Sequence, residues 1–384
     1  MFLKILKYLI LILACLSIIL VAGLYFTNNA YILKAIQVTY LTGHKTAFID
    51  DYMYFDNRKI NIGTPQPWPR SADYNSVKST EKLDAIHKNT GTIAYLIIKN
   101  DSIWYEKYYD GYSDSSKTNS FSMAKSIVSA CLGKAIELGY IESLDDLVVH
   151  YLPELKGKYA KELTIRHLVS MRSGLSWNEN YYVPFNITTR AYFDPNLSEI
   201  MLNLSIDTKP GQAFNYKSGD TQLLAILMSS VLPVSLTHFM STYFWQPMGA
   251  EHPALWQFNK TDKVEKAYCC IASNARDFAR FGKLYLHLGN WNGKQLLPQD
   301  YVEQSIKPAA ENSPDYGYGW WLGTYKGKNT ATMNGHLGQY VITIPEDNLI
   351  IVRLGHSKDK RSVKDPESSF YQFIEQAYIM LGKS

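Results

Sequence analysis

An uninterrupted apolar segment near the N-terminus constrains this chain more than any other sequence feature. Residues 8–26 are 19 consecutive uncharged residues, most of them Leu, Ile and Ala. As a helix rising about 1.5 Å per residue, the segment is roughly 28 Å long, which matches the hydrocarbon core of a bilayer. The sequence therefore predicts one transmembrane helix within residues 1–27 and contact with a membrane through residues 8–26.

The charges that flank this segment predict its orientation. Lys4 and Lys7 precede it, so we expect a cytoplasmic N-terminus, with the rest of the chain periplasmic or extracellular. Two alternatives remain open: a cleaved signal peptide, and a lipoprotein cut before Cys15. Because the apolar run continues well past Cys15 and shows no clear cleavage site, a retained anchor is favoured.

Composition narrows the choice of partners. The net charge of +4 arises from 39 basic and 35 acidic residues without a dense basic cluster, which argues against nucleic-acid binding. The four cysteines show no metal-type spacing. We expect Cys269 and Cys270 to be free buried thiols, because a bond between adjacent cysteines is strained. The sequence does not determine the oligomeric state.

Strand and helix patterns predict one large α+β domain over residues 79–384. Residues 28–78 are interpreted as a juxtamembrane connection on the domain surface. Two β-rich runs at 92–99 and 103–108 predict a hairpin, and late strands are predicted at 318–322, 340–344 and 349–354. Between them, residues 144–290 read mainly as helix and loop. This order predicts one sheet built from both chain ends, with an inserted helical subdomain.

The chain contains three S-x-x-K pairs, and their context separates them: Ser79 with Lys82, Ser122 with Lys125, and Ser357 with Lys360. Ser122 begins an apolar, helix-like segment directly after the predicted hairpin. Residues i and i+3 share a helix face, so the Lys125 amine can reach the Ser122 hydroxyl. The other two pairs lie in highly charged, loop-like sequence. Ser122 is therefore the candidate nucleophile and Lys125 its base.

A lysine acts as a base only when its pKa is lowered by burial or by a neighbouring group. Tyr216, in a Tyr-x-Ser element with Ser218 just before an apolar segment, is a candidate third group. A His-x-Gly element formed by His336 and Gly338 stands at the mouth of a late strand. A glycine there lets backbone approach a substrate closely.

These three elements occur in the order found in serine β-lactamases and penicillin-binding proteins. The chain resembles the class C β-lactamase-related superfamily, in which His-x-Gly commonly replaces Lys-Thr-Gly. It is most similar to the 6-aminohexanoate-dimer hydrolase branch, through residues 122–126, 164–175 and 210–220. The resemblance implies a β-lactamase/transpeptidase-like fold, with a central antiparallel sheet flanked by helices.

The resemblance also implies roles. Ser122 is the nucleophile, Lys125 its base and Tyr216 the proton relay to the leaving group. The backbone N–H groups of Ser122 and Gln339 would form the oxyanion hole, at about 3 kcal/mol per donor. Substrate-binding roles fall to the following residues: Tyr181 (with Tyr182 as its alternative), Ser218, His336 and Gly338.

The predicted function is a serine hydrolase that acts through an acyl-enzyme on a small-molecule linear amide or ester. A D-alanyl-D-alanine peptidase or weak β-lactamase is one alternative. Ser218 and His336 argue against it, because β-lactamases have asparagine and lysine at the corresponding positions. A catalytically silent binding or sensor protein is another alternative. No metal-binding or dinucleotide motif is found, so neither a metal nor an organic cofactor is predicted.

Overall fold

Strands from both ends of the chain pair in a single six-stranded antiparallel sheet. In this computed structural model, which describes residues 1–362 and 364–383, twelve strands occur: β1 Asn57–Ile60, β2 Thr92–Lys99, β3 Ser102–Tyr108, β4 Thr118–Asn119, β5 Ala254–Gln257, β6 Ile271–Ser273, β7 Asn290–Trp291, β8 Lys294–Gln295, β9 Trp321–Tyr325, β10 Lys328–Gly335, β11 Gln339–Ile344 and β12 Leu349–Gly355. The large sheet has the order β3-β2-β12-β11-β10-β9. This confirms the predicted sheet.

Helices cover both faces of that sheet. In the same described residues they are α1 Phe2–Phe26, α2 Tyr31–Val38, α3 Glu81–Thr90, α4 Ala124–Glu137, α5 Ile165–Val169, α6 Ile187–Phe193, α7 Leu197–Leu202, α8 Ser218–Val231, α9 Leu236–Met240, α10 Ala275–Leu286, α11 Gln299–Ser305 and α12 Ser369–Met380. Tyr95 and Ile97 of β2 belong to the cluster formed with α3 and α12. Leu96 and Ile98 belong to the main core. Successive side chains point to opposite faces, so β2 is almost entirely apolar because both faces are covered.

The middle of the chain contains more strand than was predicted. Strands β5 and β6, which lie within residues 144–290, form a second sheet with the order β1-β5-β6-β4. Strand β9 also begins later than expected, because Gly319 has φ +78 and the Tyr318 N–H donates to the carbonyl oxygen of Ser305 at the end of α11 rather than to a strand. The Thr- and Asn-containing strand β10 lacks the apolar character of its neighbours and was not predicted.

Residues 28–78 are closely integrated with the rest of the protein. Strand β1 pairs with β5 from Asn57 opposite Gln257 to Ile60 opposite Ala254. Ile49 and Ile60 are fully buried in the main core. The segment expected to run along the surface thus supplies a strand and core side chains.

Helix α1 is long and apolar enough to cross a membrane, and it also fits a signal sequence. Leu24 is its one buried residue among those described, and it packs against Tyr31 and Ile32 of α2. The remaining apolar side chains of the helix face outward, as expected for a helix that lipid surrounds.

Candidate active site

A strained turn presents Ser122 at the start of α4. Ser122 lies in a 3-10 turn, Phe121–Met123, directly before that helix. Phe121 has φ +45, a conformation that costs a non-glycine residue on the order of 1–3 kcal/mol. The Phe121 N–H donates to Asn119 Oδ1 at 3.0 Å, and Asn119 is itself fully buried and donates to Asp51. The surrounding structure therefore holds this turn in place.

Lys125 lies directly below Ser122 and is almost completely buried. Its Nζ is 2.8 Å from Ser122 Oγ, 3.0 Å from Ser218 Oγ and 2.8 Å from the Tyr268 carbonyl oxygen. Burial lowers the pKa of Lys125 to about 8, although the charges of Glu179 and Asp220 oppose this shift. About a tenth of the amine is then neutral at pH 7, enough to accept a proton from Ser122.

Tyr216 packs beside these two residues from the loop before α8. Its ring centroid lies 5.1 Å from Lys125 Nζ and 5.1 Å from the Trp321 ring. Burial raises the pKa of Tyr216 well above its usual range; the charge of Glu179 adds to the rise, and hydrogen bonding with Ser122 opposes it. The phenol therefore keeps its proton at neutral pH and is suited to donate it.

Glu179 also belongs to the group of side chains around Lys125, and the sequence analysis did not identify it. Its carboxylate accepts hydrogen bonds from the Trp177 indole at 2.6 Å, from the Ser218 N–H at 2.7 Å and Ser218 Oγ at 2.5 Å, and from the Tyr181 hydroxyl. Ser218 thus connects Glu179 to Lys125. The sequence contains 35 acidic residues, and nothing local distinguishes this one.

We expect Glu179→Gln to move the pH dependence of Ser122 reactivity to lower pH. Reactivity should rise with pH through about 8 as Lys125 loses its proton. The negative charge of Glu179 favours protonated Lys125, so removing that charge lowers the Lys125 pKa. The rate of labelling by a fluorophosphonate, measured from pH 6 to 10, checks this, with the exposed Glu199→Gln as control. If the rise in labelling rate with pH stays in place or moves to higher pH, the prediction is contradicted.

The end of β10 approaches the Ser122 turn closely. A Cβ on Gly335 would lie 2.3 Å from the Ser120 carbonyl oxygen, so only glycine fits at this contact. The next residue, His336, packs edge-on against Phe121 with 5.5 Å between ring centroids. Burial lowers the pKa of His336 to about 4, with a smaller contribution from Lys358. His336 is therefore neutral at pH 7 and lacks the charge of the lysine found there in β-lactamases.

Gly338 ends the His-x-Gly element and Gln339 follows it, and both contact other parts of the protein. Gly338 has φ +80, and a Cβ there would lie 2.7 Å from the guanidinium of buried Arg353. Its expected approach to substrate remains a prediction. The Gln339 side chain bonds both backbone groups of Gly355 and so fixes the start of β11. An oxyanion role for the Gln339 N–H remains a prediction.

The structure distinguishes Tyr181 from Tyr182, the two aromatic candidates for substrate binding. Tyr181 donates to Glu179, and its ring lies 5.1 Å from the ring of His336. Tyr182 is 68% exposed, and its ring is 6.4 Å from that of His336. Both residues line the cleft that contains Ser122. Tyr181 lies in the interior of this cleft and Tyr182 at its rim. Ser218 also lines it, but the Ser218 hydroxyl is already bonded to Lys125 and Glu179.

The other two S-x-x-K pairs do not form comparable sites. Ser79 donates to Asp84 at 2.7 Å, whereas Lys82 pairs with Glu375 at 2.6 Å. The Ser357 hydroxyl donates to the Thr90 carbonyl. Their serines are thus bonded to other partners, as the sequence context indicated.

The expectation of free thiols at Cys269 and Cys270 is wrong. The two residues form a disulfide, and Cys270 adopts φ +79 in the left-handed region. Cys269 lines the cleft, directly after the Tyr268 carbonyl that accepts from Lys125.

Comparison with known proteins shows the family of this chain. A family model described as Beta-lactamase matches residues 79–368. The 6-aminohexanoate-dimer hydrolase of Paenarthrobacter ureafaciens is 24% identical over 316 residues, which are 76% of this chain and 78% of that protein. Protein flp of Staphylococcus aureus (strain MW2) is 25% identical over 303 residues, which are 68% of this chain and 58% of that protein.

Solved structures share the fold. A Bacillus anthracis protein, provisionally assigned as a 6-aminohexanoate-dimer hydrolase, superposes with a TM-score of 0.69 at 21% identity, covering 85% of this chain and 90% of that one. A D-stereospecific amidohydrolase from Streptomyces superposes with a TM-score of 0.59 at 14% identity, covering 77% and 97%.

Proposed function

The chain belongs to the beta-lactamase family, and from this we propose that it is a serine hydrolase that cleaves a linear amide or ester through an acyl-enzyme on Ser122. One observation carries the proposal: the amine of buried Lys125 lies 2.8 Å from Ser122 Oγ and has a pKa of about 8. A hydroxyl beside a partly neutral amine is an activated nucleophile.

The proposed steps follow from the protonation states. Lys125 accepts the Ser122 proton as Oγ bonds to the substrate carbonyl carbon. The Tyr216 phenol then donates its proton to the departing nitrogen or oxygen and regains one from Lys125. Water next attacks the acyl carbon by the reverse route, which releases the acid and restores Ser122. The Ser122 and Gln339 N–H groups are proposed to bind the oxyanion.

Neutral His336 disfavours the peptidase and β-lactamase alternative. A penicillin or a peptide C-terminus carries a carboxylate, and a histidine with a pKa of about 4 offers it no cation. The alternative of a catalytically silent binding or sensor protein is disfavoured because Ser122, Lys125 and Tyr216 lie together. The names of the relatives, a 6-aminohexanoate-dimer hydrolase and a D-stereospecific amidohydrolase, support the amide half of the proposal.

We also propose that α1 anchors the protein with its N-terminus in the cytoplasm and residues 28–384 outside. Lys4 and Lys7 before the apolar segment support this orientation.

Trapping the acyl-enzyme tests the function. Full-length protein mixed briefly with p-nitrophenyl acetate and quenched in acid should gain the mass of one acetyl group, and peptide mapping should assign it to Ser122. Parallel assays with short amides and a chromogenic cephalosporin separate the alternatives. Absence of both adduct and turnover on the ester and amide series would overturn the proposal.

A further inference from the structure

Ser122 opens into a cleft whose lining is mainly apolar. The cleft has a volume of about 90 Å³ and includes Phe121, Ala35, Ala47, Val183 and Tyr192. Exposed Lys45 is the one lysine, arginine or carboxylate among its described lining residues, and His336 there is neutral at pH 7. The interior thus provides no charge to bind an ionic group, and burial of hydrocarbon is the favourable interaction it offers.

Four hydroxyls of the lining are bonded within the protein. The hydroxyls of Thr39, Thr188 and Thr189 donate to backbone carbonyl oxygens at 2.6–2.8 Å. The Tyr192 hydroxyl donates to buried Asp51 at 2.6 Å. These four hydroxyls are therefore not free for a substrate. The Tyr268 hydroxyl and His336 Nε2 are buried without a hydrogen-bond partner among the described residues, so the cleft offers a substrate two polar groups beside its apolar wall.

The cleft lies beside the end of the N-terminal apolar helix. Phe193 lines the cleft and also packs on the cluster that buries Leu24 of α1. In that same cluster, Tyr31 of α2 donates to the carbonyl oxygen of Pro184, another lining residue. One layer of side chains thus separates the last turn of α1 from the cleft.

Exposed apolar side chains surround this region. Leu41 is 77% exposed and Phe185 67% exposed, and they lie next in sequence to the lining residues Tyr40 and Pro184. Val183 at the rim is 44% exposed. Several such side chains next to an apolar helix indicate contact with a lipid surface.

We propose that the cleft binds the aliphatic acyl chain of an amphiphilic ester or amide drawn from the membrane surface. This inference rests on the proposed function and specifies its substrate class. With the chain in the cleft, Ser122 Oγ bonds to the carbonyl carbon, and the bond to the head-group oxygen or nitrogen breaks. That atom leaves with the proton from Tyr216. Water then releases the fatty acid and restores the Ser122 hydroxyl.

A chain-length series tests the inference on the full-length protein in phosphatidylcholine nanodiscs. The substrates are p-nitrophenyl esters from acetate to dodecanoate, and the Ser122→Ala protein defines the background. Each buried methylene should raise kcat/KM by about fourfold. The rise should level off at the chain length that fills the cleft.

A matched pair of variants separates binding in the cleft from partition into the nanodisc. Val183→Glu places a charge at the rim, and Ile379→Glu places one on α12 at a residue of closely similar exposure, 45% against 44%. The octanoate-to-acetate ratio of kcat/KM should fall at least tenfold in the first variant and stay unchanged in the second. A ratio is insensitive to partial loss of folded protein. Tyr182→Ser, at the same rim, should lower it in the same direction.

The outcomes distinguish the two proposals. Ser122-dependent hydrolysis with no preference for longer chains, or equal ratios in the two glutamate variants, overturns the acyl-chain inference and leaves the hydrolase intact. Absence of a Ser122 adduct and of Ser122-dependent turnover on every ester and amide overturns both.

Discussion

Replacing Ser122 with alanine is expected to abolish covalent labelling by a fluorophosphonate and to lower kcat/KM for any ester or amide substrate by a factor on the order of 10⁵ to 10⁶. The Oγ atom is the group that would bond to the substrate carbon, and the amine of Lys125 lies 2.8 Å from it. The Ser218 hydroxyl also lies 3.0 Å from Lys125 Nζ, but it donates its proton to Glu179, so little residual activity is expected.

The chain provides matched controls for this experiment. Ser79→Ala and Ser357→Ala remove the serines of the other two S-x-x-K pairs, which are bonded to Asp84 and to the Thr90 carbonyl. Both variants should keep full labelling. An unchanged melting temperature of Ser122→Ala would show that the loss is chemical. Labelling that survives in Ser122→Ala would reject this residue as the nucleophile.

Replacing Lys125 with methionine is expected to lower kcat/KM by about 10³- to 10⁴-fold. Methionine fills the buried space but accepts no proton, and it leaves the Tyr268 carbonyl and the Ser218 hydroxyl without their donor. The remaining activity should also lose its rise with pH through about 8, because that rise belongs to the deprotonation of Lys125.

Lys134→Met is the appropriate control. Lys134 lies on the same helix, is 7% exposed and pairs with Glu137 away from Ser122. Its loss should leave the rate and the pH profile of the wild type. If Lys125→Met kept the wild-type pH dependence, another group would have to serve as the base.

Features that depend on neighbouring residues were predictable from sequence. Ser122 and Lys125 lie three residues apart, so local helical geometry alone brings them together. The β2–β3 hairpin and the strands near the C-terminus are continuous β-rich runs, and hydrophobic periodicity therefore detects them. Strand β10 and the short strands β5 and β6 lack such a pattern, and long-range pairing sets their conformation.

What the sequence by itself determined was the apolar N-terminal helix, the pairing of Ser122 with Lys125, and a sheet drawn from both chain ends. Only the tertiary structure decided that Glu179 accepts from Ser218 beneath Lys125, that Tyr181 lies inside the cleft with Tyr182 at its rim, and that α2 forms part of the cleft wall. The physical reason is that these properties depend on burial and on contacts between residues far apart in sequence. The lowered pKa of Lys125 is the clearest case, because it arises from desolvation by the folded protein rather than from any neighbour in the chain.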